Sequence, residues 1–395
     1  MLAVIVFILI IGLLIFVHEL GHFLTARRNG IRAEEFGFGF PPRIIGLQCI
    51  DDGSSKGKWR IIWGSRDGDD ENEKKDLEEA CEKGLRGGTI YSLNWIPLGG
   101  FVKIKGENGD VQGEDSFASK GAWIRIKVLA AGVIMNFVLA WFLISFALMI
   151  GAPEPIDFDS AGGNFPDAKI QISEIIQDSP ASQMGLKVGD EILKVQNSQL
   201  NFKSVKDVQD FIDANKGRET EFKIKRGSEI ISVRGVPRVD IPDGQGPLGI
   251  SLVETAMVSY PWYQAIWKGA VFVFDLSSAM LTGLFVLIKN IVTGHKAGVD
   301  VAGPFGIAVM TKQFTALGLA YVLQFAALLS INLGIINAFP FPALDGGRIL
   351  FIIIEKIKGS PISQKTEQFF HSAGFALLIL LMLYITFRDV LKFIK

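Results

Sequence analysis

Two histidines and a glutamate near the start of the chain have the spacing of a metal site. Residues 18–22 read His-Glu-Leu-Gly-His. In a helix, positions i and i+4 lie on one face, so His18 and His22 can both reach a single Zn²⁺. Glu19 stands beside the first histidine, where it can act as a general base toward a metal-bound water. The pattern predicts a metal-dependent hydrolytic centre. Because the motif specifies only three residues, it also occurs by chance, so the surrounding sequence must support the prediction.

Those surroundings are apolar. Residues 1–26 form a run without a basic n-region or a small-residue cleavage site, and the run is too long for a signal peptide, so we predict a retained anchor. At ~1.5 Å per residue, His18 lies roughly 25 Å along this helix, still within the hydrocarbon layer. Ionisable groups there cost several kcal/mol unless they are paired, hydrated or metal-bound. A helix end at the headgroup level is the alternative, and a metal site is favoured.

A catalytic zinc takes three protein ligands and keeps a fourth position for water. The third ligand is predicted to be Asp345, in the stretch Asn-Ala-Phe-Pro-Phe-Pro-Ala-Leu-Asp-Gly-Gly at residues 337–347. Its two prolines break a helix, and its two glycines permit tight turning near the metal. The alternative role of Asp345 is to cap the following helix.

The elements that must position these residues are membrane helices. The chain has 395 residues, 49% of them hydrophobic, with a net charge of -1, so no basic region for nucleic acid is indicated. Four spans are predicted, at residues 1–26, 123–150, 318–347 and 369–387. Residues 262–293 are also apolar. We interpret them as a helix along the outer interface, because a fifth crossing would put Asp345 on the side opposite the histidines.

Basic residues follow the first span, precede the second and follow the third, which predicts that these segments are cytoplasmic. The metal centre then lies toward the cytoplasmic half of an inner membrane. Three basic residues near the C-terminus weaken this signal. Cys49 and Cys81 are too few for a disulfide framework and are expected to be free thiols on a reducing side.

Residues 27–122 are predicted to form a cytoplasmic loop with a polar insert at 49–88 that suggests no chemistry. Apolar, glycine-interrupted strands flank the insert, and we predict a β-hairpin associated with the membrane. An exposed edge near Gly99, Gly100 and Phe101 can pair with an extended peptide. A plain surface hairpin is the alternative.

Residues 165–255 have the alternation of a compact β-rich module between the second and third spans. The stretch SPASQMGLKVGDEILKVQN resembles the middle of a PDZ domain. The glycine-containing loop that binds a peptide carboxylate usually comes first in such domains, whereas here GPLGISL comes last, which suggests a circular permutation. The candidate carboxylate-binding residues are Gly246, Leu248, Gly249 and Ile250. An ordinary closing strand is the alternative.

Together, these motifs resemble the site-2 protease family, in the bacterial branch that cleaves membrane-bound anti-sigma factors. The resemblance implies a Zn²⁺ cofactor held by His18, His22 and Asp345, with Glu19 as the catalytic base. It also implies that Asn332 and Asn337 lie near the substrate strand, although hydrogen bonding between helices is an equal alternative. The stretch from Gly132 to Asn136 resembles the small-residue motif of the second span in this family. One PDZ-like module stands where the best-known relatives carry two.

The predicted fold is therefore a polytopic α-helical membrane protein with four transmembrane helices, an inserted PDZ-like domain and a membrane-associated β-hairpin. The predicted activity is zinc-dependent hydrolysis of peptide bonds within the transmembrane segments of single-pass membrane proteins, such as anti-sigma factors or signal-peptide remnants. The expected partners are these substrates and membrane lipids, not nucleic acid. A membrane scaffold without protease activity, or a zinc protease that is merely anchored, is the rival hypothesis.

Overall fold

The computed structural model describes residues 2–51, 58–64, 86–107, 113–155, 169–176, 178–195, 204–227, 229–242, 245–294, 303–360 and 362–394. Within these ranges the helices are α1 (Leu2–Arg28), α2 (Ala122–Ile150), α3 (Pro180–Gln183), α4 (Val205–Ala214), α5 (Trp262–Val292), α6 (Pro304–Leu317), α7 (Leu319–Ala338), α8 (Asp345–Lys358) and α9 (Gln364–Ile394). The strands are β1 (Ala33–Asp51), β2 (Lys58–Trp63), β3 (Arg86–Ile104), β4 (Ala152–Pro155), β5 (Lys169–Ile175), β6 (Glu191–Val195), β7 (Thr220–Arg226), β8 (Glu229–Gly235) and β9 (Ile250–Val258).

The chain forms two compact units. The first contains Met1–Ser145, Ile266–Thr315 and Val322–Lys395, and the second contains Phe146–Ala265 and Ala316–Tyr321. Five of the described helices are long and apolar enough to cross a membrane, namely α1, α2, α5, α7 and α9. The chain is thus a multi-pass membrane protein with β-rich regions. The fifth candidate, α5, is the segment that we interpreted as an interfacial helix.

In the first unit, α1 packs closely on α2. Ala26 and Val128 are completely buried in one apolar cluster, which also contains Phe117 of the loop before α2 and Ile352 of α8. A Cβ atom on Gly21 would lie 2.4 Å from the carbonyl oxygen of Ala131, so only glycine fits where the two backbones meet. This close approach brings the His-Glu-Leu-Gly-His segment against the middle of α2.

The sheet of the first unit has the strand order β2-β1-β3. A bend at Pro41 and Pro42 divides β1. Residues 33–38 pair with 100–104 and residues 35–38 also pair with 90–93, while residues 43–51 pair with 86–94. Arg43 and Glu35 form an ion pair of 2.8 Å across this bend. The glycine-interrupted stretches that we predicted as hairpin strands lie in β1 and β3. Of the polar insert at 49–88, the strand β2 and the ends of β1 and β3 are described, and the remainder lies outside the described residues.

The start of α6 is tied to the far end of α9. The carboxylate of Asp389 accepts hydrogen bonds from the backbone N–H groups of Gly303 at 2.7 Å and Gly306 at 3.0 Å. Asp389 is buried, with 4% of its surface exposed, so these contacts compensate for the loss of hydration of its carboxylate. They fix the start of α6 against the end of α9.

The second unit is a six-stranded antiparallel sheet in the order β4-β9-β5-β6-β7-β8. Its core contains Ile172, Val208, Phe222, Ile224 and other apolar side chains. Helix α4 begins with a capping box in which Ser204 and Asp207 exchange hydrogen bonds between side chain and backbone. The β-rich character that we predicted for residues 165–255 is present, whereas β4, with two prolines in four residues, was not predicted.

Candidate metal centre

Three side-chain atoms converge where α1 meets the start of α8. The Nε2 atoms of His18 and His22 are 3.1 Å apart, and they lie 3.0 and 3.3 Å from Oδ2 of Asp345. Both histidines are buried. Two ligands at 2.0–2.1 Å from a tetrahedral zinc ion are about 3.3–3.4 Å apart. The three atoms therefore have nearly the separations that one zinc ion requires.

The hydrogen bonds of the two histidines leave a lone pair on each Nε2 atom for a metal cation. Nδ1 of His22 lies 2.8 Å from the carbonyl oxygen of Val128, so Nδ1 must donate and Nε2 carries the lone pair. Nδ1 of His18 lies 3.1 Å from the amide of Asn136, which is completely buried. Oδ1 of that amide has no hydrogen-bond partner among the described residues. Exchanging the amide oxygen and nitrogen, which have nearly the same shape, lets Nδ1–H of His18 donate to Oδ1.

In that arrangement two imidazole lone pairs and a carboxylate oxygen face one point. Such acceptors repel one another at 3.0–3.3 Å unless a cation lies between them. Two neutral imidazoles and one carboxylate are a familiar donor set of catalytic zinc. The hydrogen bonds to Val128 and Asn136 orient the rings, as outer partners do in zinc proteins.

Gly132 of α2 makes room for the two histidines. A Cβ atom at this position would lie 2.4 Å from Nε2 of His22 and 2.8 Å from Cε1 of His18. Real Cβ atoms do not approach other atoms so closely. Any larger residue at position 132 must displace a histidine ring.

Asp345 is the first residue of α8, and its carboxylate does not cap that helix, because Leu344 occupies the cap position without a side-chain hydrogen bond. The turn before it occurs at Ala343, which has a φ of 77°. The two glycines after Asp345 do not make the turn, contrary to our expectation. Gly346 and Gly347 lie inside the helix, where added Cβ atoms would be 2.3 and 2.2 Å from the carbonyl oxygens of Ala338 and Phe341. They serve close packing instead.

A cavity of about 520 Å³ opens beside the three converging atoms. Its lining includes the side chain of Glu19, two further charged residues, Glu107 and Arg348, and His371. Arg348 and Glu107 form an ion pair that joins α8 to the turn after β3. The cavity is large enough for a short extended peptide segment beside the metal centre.

The other residues that we predicted at the site are distributed unevenly. Phe101 lines the cavity, whereas Gly99 and Gly100 pack against Ile15 and Phe16 of α1. Asn332 is exposed on α7 and Asn337 is half-buried near its end, and neither contributes to the lining of the cavity.

Sequence reasoning did not single out Glu107, Arg348 or His371. His371 carried a usable signal, because it is an ionisable residue beside an apolar run.

In the second unit, three of the four candidate carboxylate-binding residues line a groove. Gly246, Leu248 and Ile250 border a cavity of about 230 Å³ between α4 and β9. Gly249 has a φ of 71°, and its Cα faces Arg238, whose Nη2 would lie 3.1 Å from an added Cβ atom. The side chain of Leu248 is buried in the core of the unit, so mainly its backbone is available to a ligand.

Comparisons with known proteins identify the family of the chain. The model of peptidase family M50 matches residues 6–58 and 79–381. The zinc metalloprotease RasP of Bacillus licheniformis is 31% identical over 438 aligned positions, which cover 98% of each chain. The regulator of sigma-W protease RasP of Bacillus subtilis is 30% identical, again with 98% of each chain covered. The zinc metalloprotease RasP of Geobacillus kaustophilus is 29% identical and covers 99% of this chain and 98% of its own. The matched residues include every group that faces the metal centre.

Proposed function

The chain belongs to peptidase family M50 and is a zinc metalloprotease, and we propose that His18, His22 and Asp345 hold its zinc ion while Glu19 is the general base. The predicted resemblance to the site-2 proteases and the predicted Zn²⁺ cofactor are confirmed by the family match. The observation that carries the residue assignment is the convergence of two imidazole lone pairs and a carboxylate at 3.0–3.3 Å.

When bound, zinc lowers the pKa of a coordinated water and polarises the carbonyl group under attack. Glu19 faces the same cavity and can accept the proton of the attacking water. The carboxylic acid that results then delivers this proton to the leaving amide nitrogen. Asn136 and the carbonyl oxygen of Val128 hold the imidazole rings in the required tautomer.

We propose that the substrate is the membrane-spanning segment of a single-pass membrane protein. A peptide bond within a helix is shielded by its own hydrogen-bond ladder, so the substrate must be held extended for attack. Strand β3 is at the edge of its sheet, and Phe101, Val102 and Ile104 near its end line the cavity. These features support addition of the substrate as a further strand beside β3.

Gly99 and Gly100 lie against α1 within one helical turn of His18, which supports a membrane depth for this part of β3. One relative carries the name regulator of sigma-W protease RasP. We accordingly propose anti-sigma-factor-like proteins as the substrate class, in the inner membrane.

Replacement of the base tests this function. Glu19→Gln keeps the shape of the side chain but cannot accept a proton, so cleavage of a model single-pass substrate in proteoliposomes should fall at least ~1000-fold. Zinc content and thermal stability should stay near those of the parent protein. Glu229→Gln, at an exposed position of β8, is the matched control. Activity of Glu19→Gln within tenfold of the parent would rule out the assignment of the base.

We propose four spans, with α5 along the outer interface. Near its start, Ile266 accepts a hydrogen bond from Trp141 and Gly269 packs against Ser145. Ser145 is 13 residues beyond Gly132 on α2, or about 20 Å toward the outer side of the metal centre. After α5, the described chain resumes at Gly303, whose N–H donates to Asp389. Asp389 is 18 residues, about 27 Å, beyond the cavity-lining His371, on the same side.

Both ends of the segment from Gly269 to Gly303 are thus far from the metal centre in the same direction. If α5 crossed the membrane, residues 293–302 would have to cross back. Ten residues reach about 33–36 Å only when fully extended, which is little more than the ~30 Å of hydrocarbon. Their sequence includes Lys296 and Asp300, whose charges are costly in lipid.

Cysteine labelling tests this topology. After removal of Cys49 and Cys81, cysteines at Asp70 and Ser360 should react only from the cytoplasm, and one at Asn215 only from outside. Cysteines at both ends of α5 should react from the outside. Labelling of the two ends from opposite sides would establish a fifth crossing and contradict the proposal.

We also propose that the second unit is a PDZ-like module that binds peptides with a free C-terminus. The groove between α4 and β9 supports this, together with the guanidinium of Arg238 beside the loop at Gly249. Fluorescence anisotropy of labelled peptides with the full-length protein in nanodiscs is the assay. A free carboxylate should bind more tightly than its amidated form, with a Kd of tens of micromolar, or roughly 6 kcal/mol. Equal affinity for the two forms would leave the module without a carboxylate-reading role.

A further inference from the structure

His371 faces the metal-centre cavity from α9, the helix furthest along the chain. The cavity that contains Glu19 and Asp345 in its lining also contains His371. The whole sequence has four histidines, and two of them are the proposed ligands. A third imidazole in the same cavity needs an explanation, because burial of an ionisable group within a membrane protein is costly.

The hydrogen bonds of His371 determine which of its nitrogens can act. The backbone N–H of Ala343 donates to Nδ1 over 2.9 Å, so Nδ1 is the acceptor. A neutral imidazole then carries its hydrogen on Nε2. Nε2 is buried and has no hydrogen-bond partner among the described residues, and Oε1 of Glu367, one turn earlier on α9, is 3.8 Å away, too far for a hydrogen bond. The structure therefore presents a buried N–H donor that lacks a hydrogen-bond partner, on a residue that lines the cavity.

Two contacts hold this donor in place. The ring of Phe351 on α8 packs against the imidazole with the centroids 5.5 Å apart. Ala343, which bonds to Nδ1, is the turn residue with a φ of 77° and stands two positions before Asp345. The position of Nε2 is thereby coupled through one short turn to the position of the proposed metal ligand.

We propose that His371 is a catalytic residue, whose Nε2–H donates a hydrogen bond to the carbonyl oxygen of the scissile peptide bond. This rests on the proposed protease function. In the first step the water oxygen bonds to the carbonyl carbon, the electron pair of the C=O bond moves onto oxygen, and Glu19 takes a water proton. In the second step the C–N bond breaks, the oxygen returns its electron pair, and Glu19 gives its proton to nitrogen. His371 keeps its proton and stabilises the negative oxygen throughout.

A donor that is already oriented stabilises developing charge strongly at a site of low dielectric constant. Loss of one such donor typically lowers kcat by a factor of 10² to 10³ with little effect on ground-state binding. The competing explanation is structural, namely that His371 exists only to accept the hydrogen bond from Ala343.

Two substitutions separate these roles because each retains a different half of the imidazole. In His371→Asn the side-chain oxygen lies one bond from Cγ, as Nδ1 does, so the acceptor for Ala343 is kept and the distal donor is lost. In His371→Gln the amide N–H₂ reaches the position of Nε2, so the donor is kept and the acceptor is lost. A catalytic role and a structural role therefore predict opposite orders of activity.

The experiment measures kcat, KM and zinc content of the full-length protein in proteoliposomes. We expect kcat of His371→Asn to fall about 100-fold with KM and zinc content near the parent values, and His371→Gln to stay within about tenfold. The reverse order, or loss of zinc in His371→Asn, would overturn the proposal. Wild type and Glu19→Gln are measured alongside. If wild type itself does not cleave, the protease assignment fails, whereas cleavage by wild type and His371→Asn at equal rates contradicts only the role of His371.

A second measurement does not depend on activity or on the folding of variants. With only four histidines, ¹⁵N-histidine labelling of the wild-type protein gives a spectrum that can be assigned by substitution. The ring nitrogens of His371 should show the neutral form protonated at Nε2, and the Nε2–H signal should shift when a peptide with a phosphinate in place of the scissile bond is added. Protonation at Nδ1, or a signal that the phosphinate peptide leaves unchanged, would overturn the proposal.

Discussion

Replacement of Gly132 by alanine tests the geometry of the metal centre most directly. The added methyl group would lie 2.4 Å from Nε2 and 2.6 Å from Cε1 of His22, and 2.8 Å from Cε1 of His18. Since ordinary contacts of a Cβ atom begin near 3.4 Å, the ring of His22 or the backbone of α2 must move by about 1 Å. Zinc–ligand distances tolerate changes of only about 0.2 Å, so a histidine ring that moves this far relative to the other ligands cannot remain a ligand.

The expected result is a loss of zinc affinity. Disturbance of the groups that orient zinc ligands typically costs 10- to 100-fold in affinity, and here a ligand atom itself is displaced. We expect affinity to fall at least about 100-fold, or about 2.7 kcal/mol. Competition with a chromophoric chelator measures the affinity, and elemental analysis after gel filtration measures the zinc content. Cleavage of the model substrate should fall in parallel with zinc occupancy.

A matched control separates this effect from a general effect of a helical glycine. Gly283 in α5 has nothing within 4 Å of an added Cβ atom, so Gly283→Ala should bind zinc as the parent does. Circular dichroism of both variants checks that the helices are intact. Zinc affinity of Gly132→Ala within threefold of the parent would refute the placement of the histidines against α2.

Three further predictions concern the ligands, the second unit and the connection after α5. His22→Ala and Asp345→Ala should each lose bound zinc on gel filtration, whereas the control Asp115→Ala should keep its zinc. Full retention of zinc in Asp345→Ala would exclude the Asp345 carboxylate as a ligand. Arg226→Met removes the cation that pairs with Asp190 at 2.7 Å. The Asp190 carboxylate is only 1% exposed, and its hydrogen bond raises the pKa of Arg226. The Arg226→Met substitution should lower the free energy of unfolding of the second unit by about 2–3 kcal/mol in denaturant unfolding. The control is Arg234→Met, because the guanidinium of Arg234 in its pair with Glu221 is largely exposed. This control should change the free energy of unfolding by less than about 1 kcal/mol. Asp389→Leu should speed hydrogen exchange at the amides of Gly303 and Gly306 at least ~10-fold. Asp389→Asn should have an intermediate effect, because its amide oxygen can still accept their hydrogen bonds. Unchanged exchange in Asp389→Leu would contradict the role of Asp389 in holding the start of α6.

The convergence of the three candidate ligands was largely predictable because its signals are local. The spacing of His18 and His22 alone sets a common helix face. Asp345 required one additional argument. The first and third predicted spans run in the same direction, so residues near their C-terminal ends should lie at similar depths in the membrane. The structure brings the Asp345 carboxylate within 3.3 Å of both imidazoles.

The contact between Asn136 and His18 could not be derived in the same way. Helix α2 is apolar on nearly all faces, so its sequence does not reveal which face turns toward α1. That rotation depends on the close approach of Gly21 to Ala131, which is a tertiary contact. From the sequence, Asn136 is singled out only by a family resemblance, which does not indicate a hydrogen-bond partner for its side chain.

The strand pairing of β1 with β3 was also beyond local reasoning. The two strands pair in several stretches, with residues 35–38 of β1 in contact with two separate parts of β3, and the register of one stretch does not determine that of the others. Strand β4 was missed for a different reason. Prolines normally mark a loop or an edge strand, and β4 is the edge strand that pairs with β9.

Close packing explains why glycines stand next to the proposed ligands in both stretches of the chain. Lipid gives apolar helices little hydrophobic reason to associate, so backbones that approach through small residues supply much of the packing energy. Gly21 lies between Glu19 and His22 in sequence and contacts α2, while Gly346 lies beside Asp345 and contacts the carbonyl oxygens at the end of α7. Each proposed ligand is therefore on a backbone segment that cannot shift without opening a helix contact. Zinc affinity and helix packing should change together when any of these glycines is enlarged, even though no glycine contributes a ligand atom.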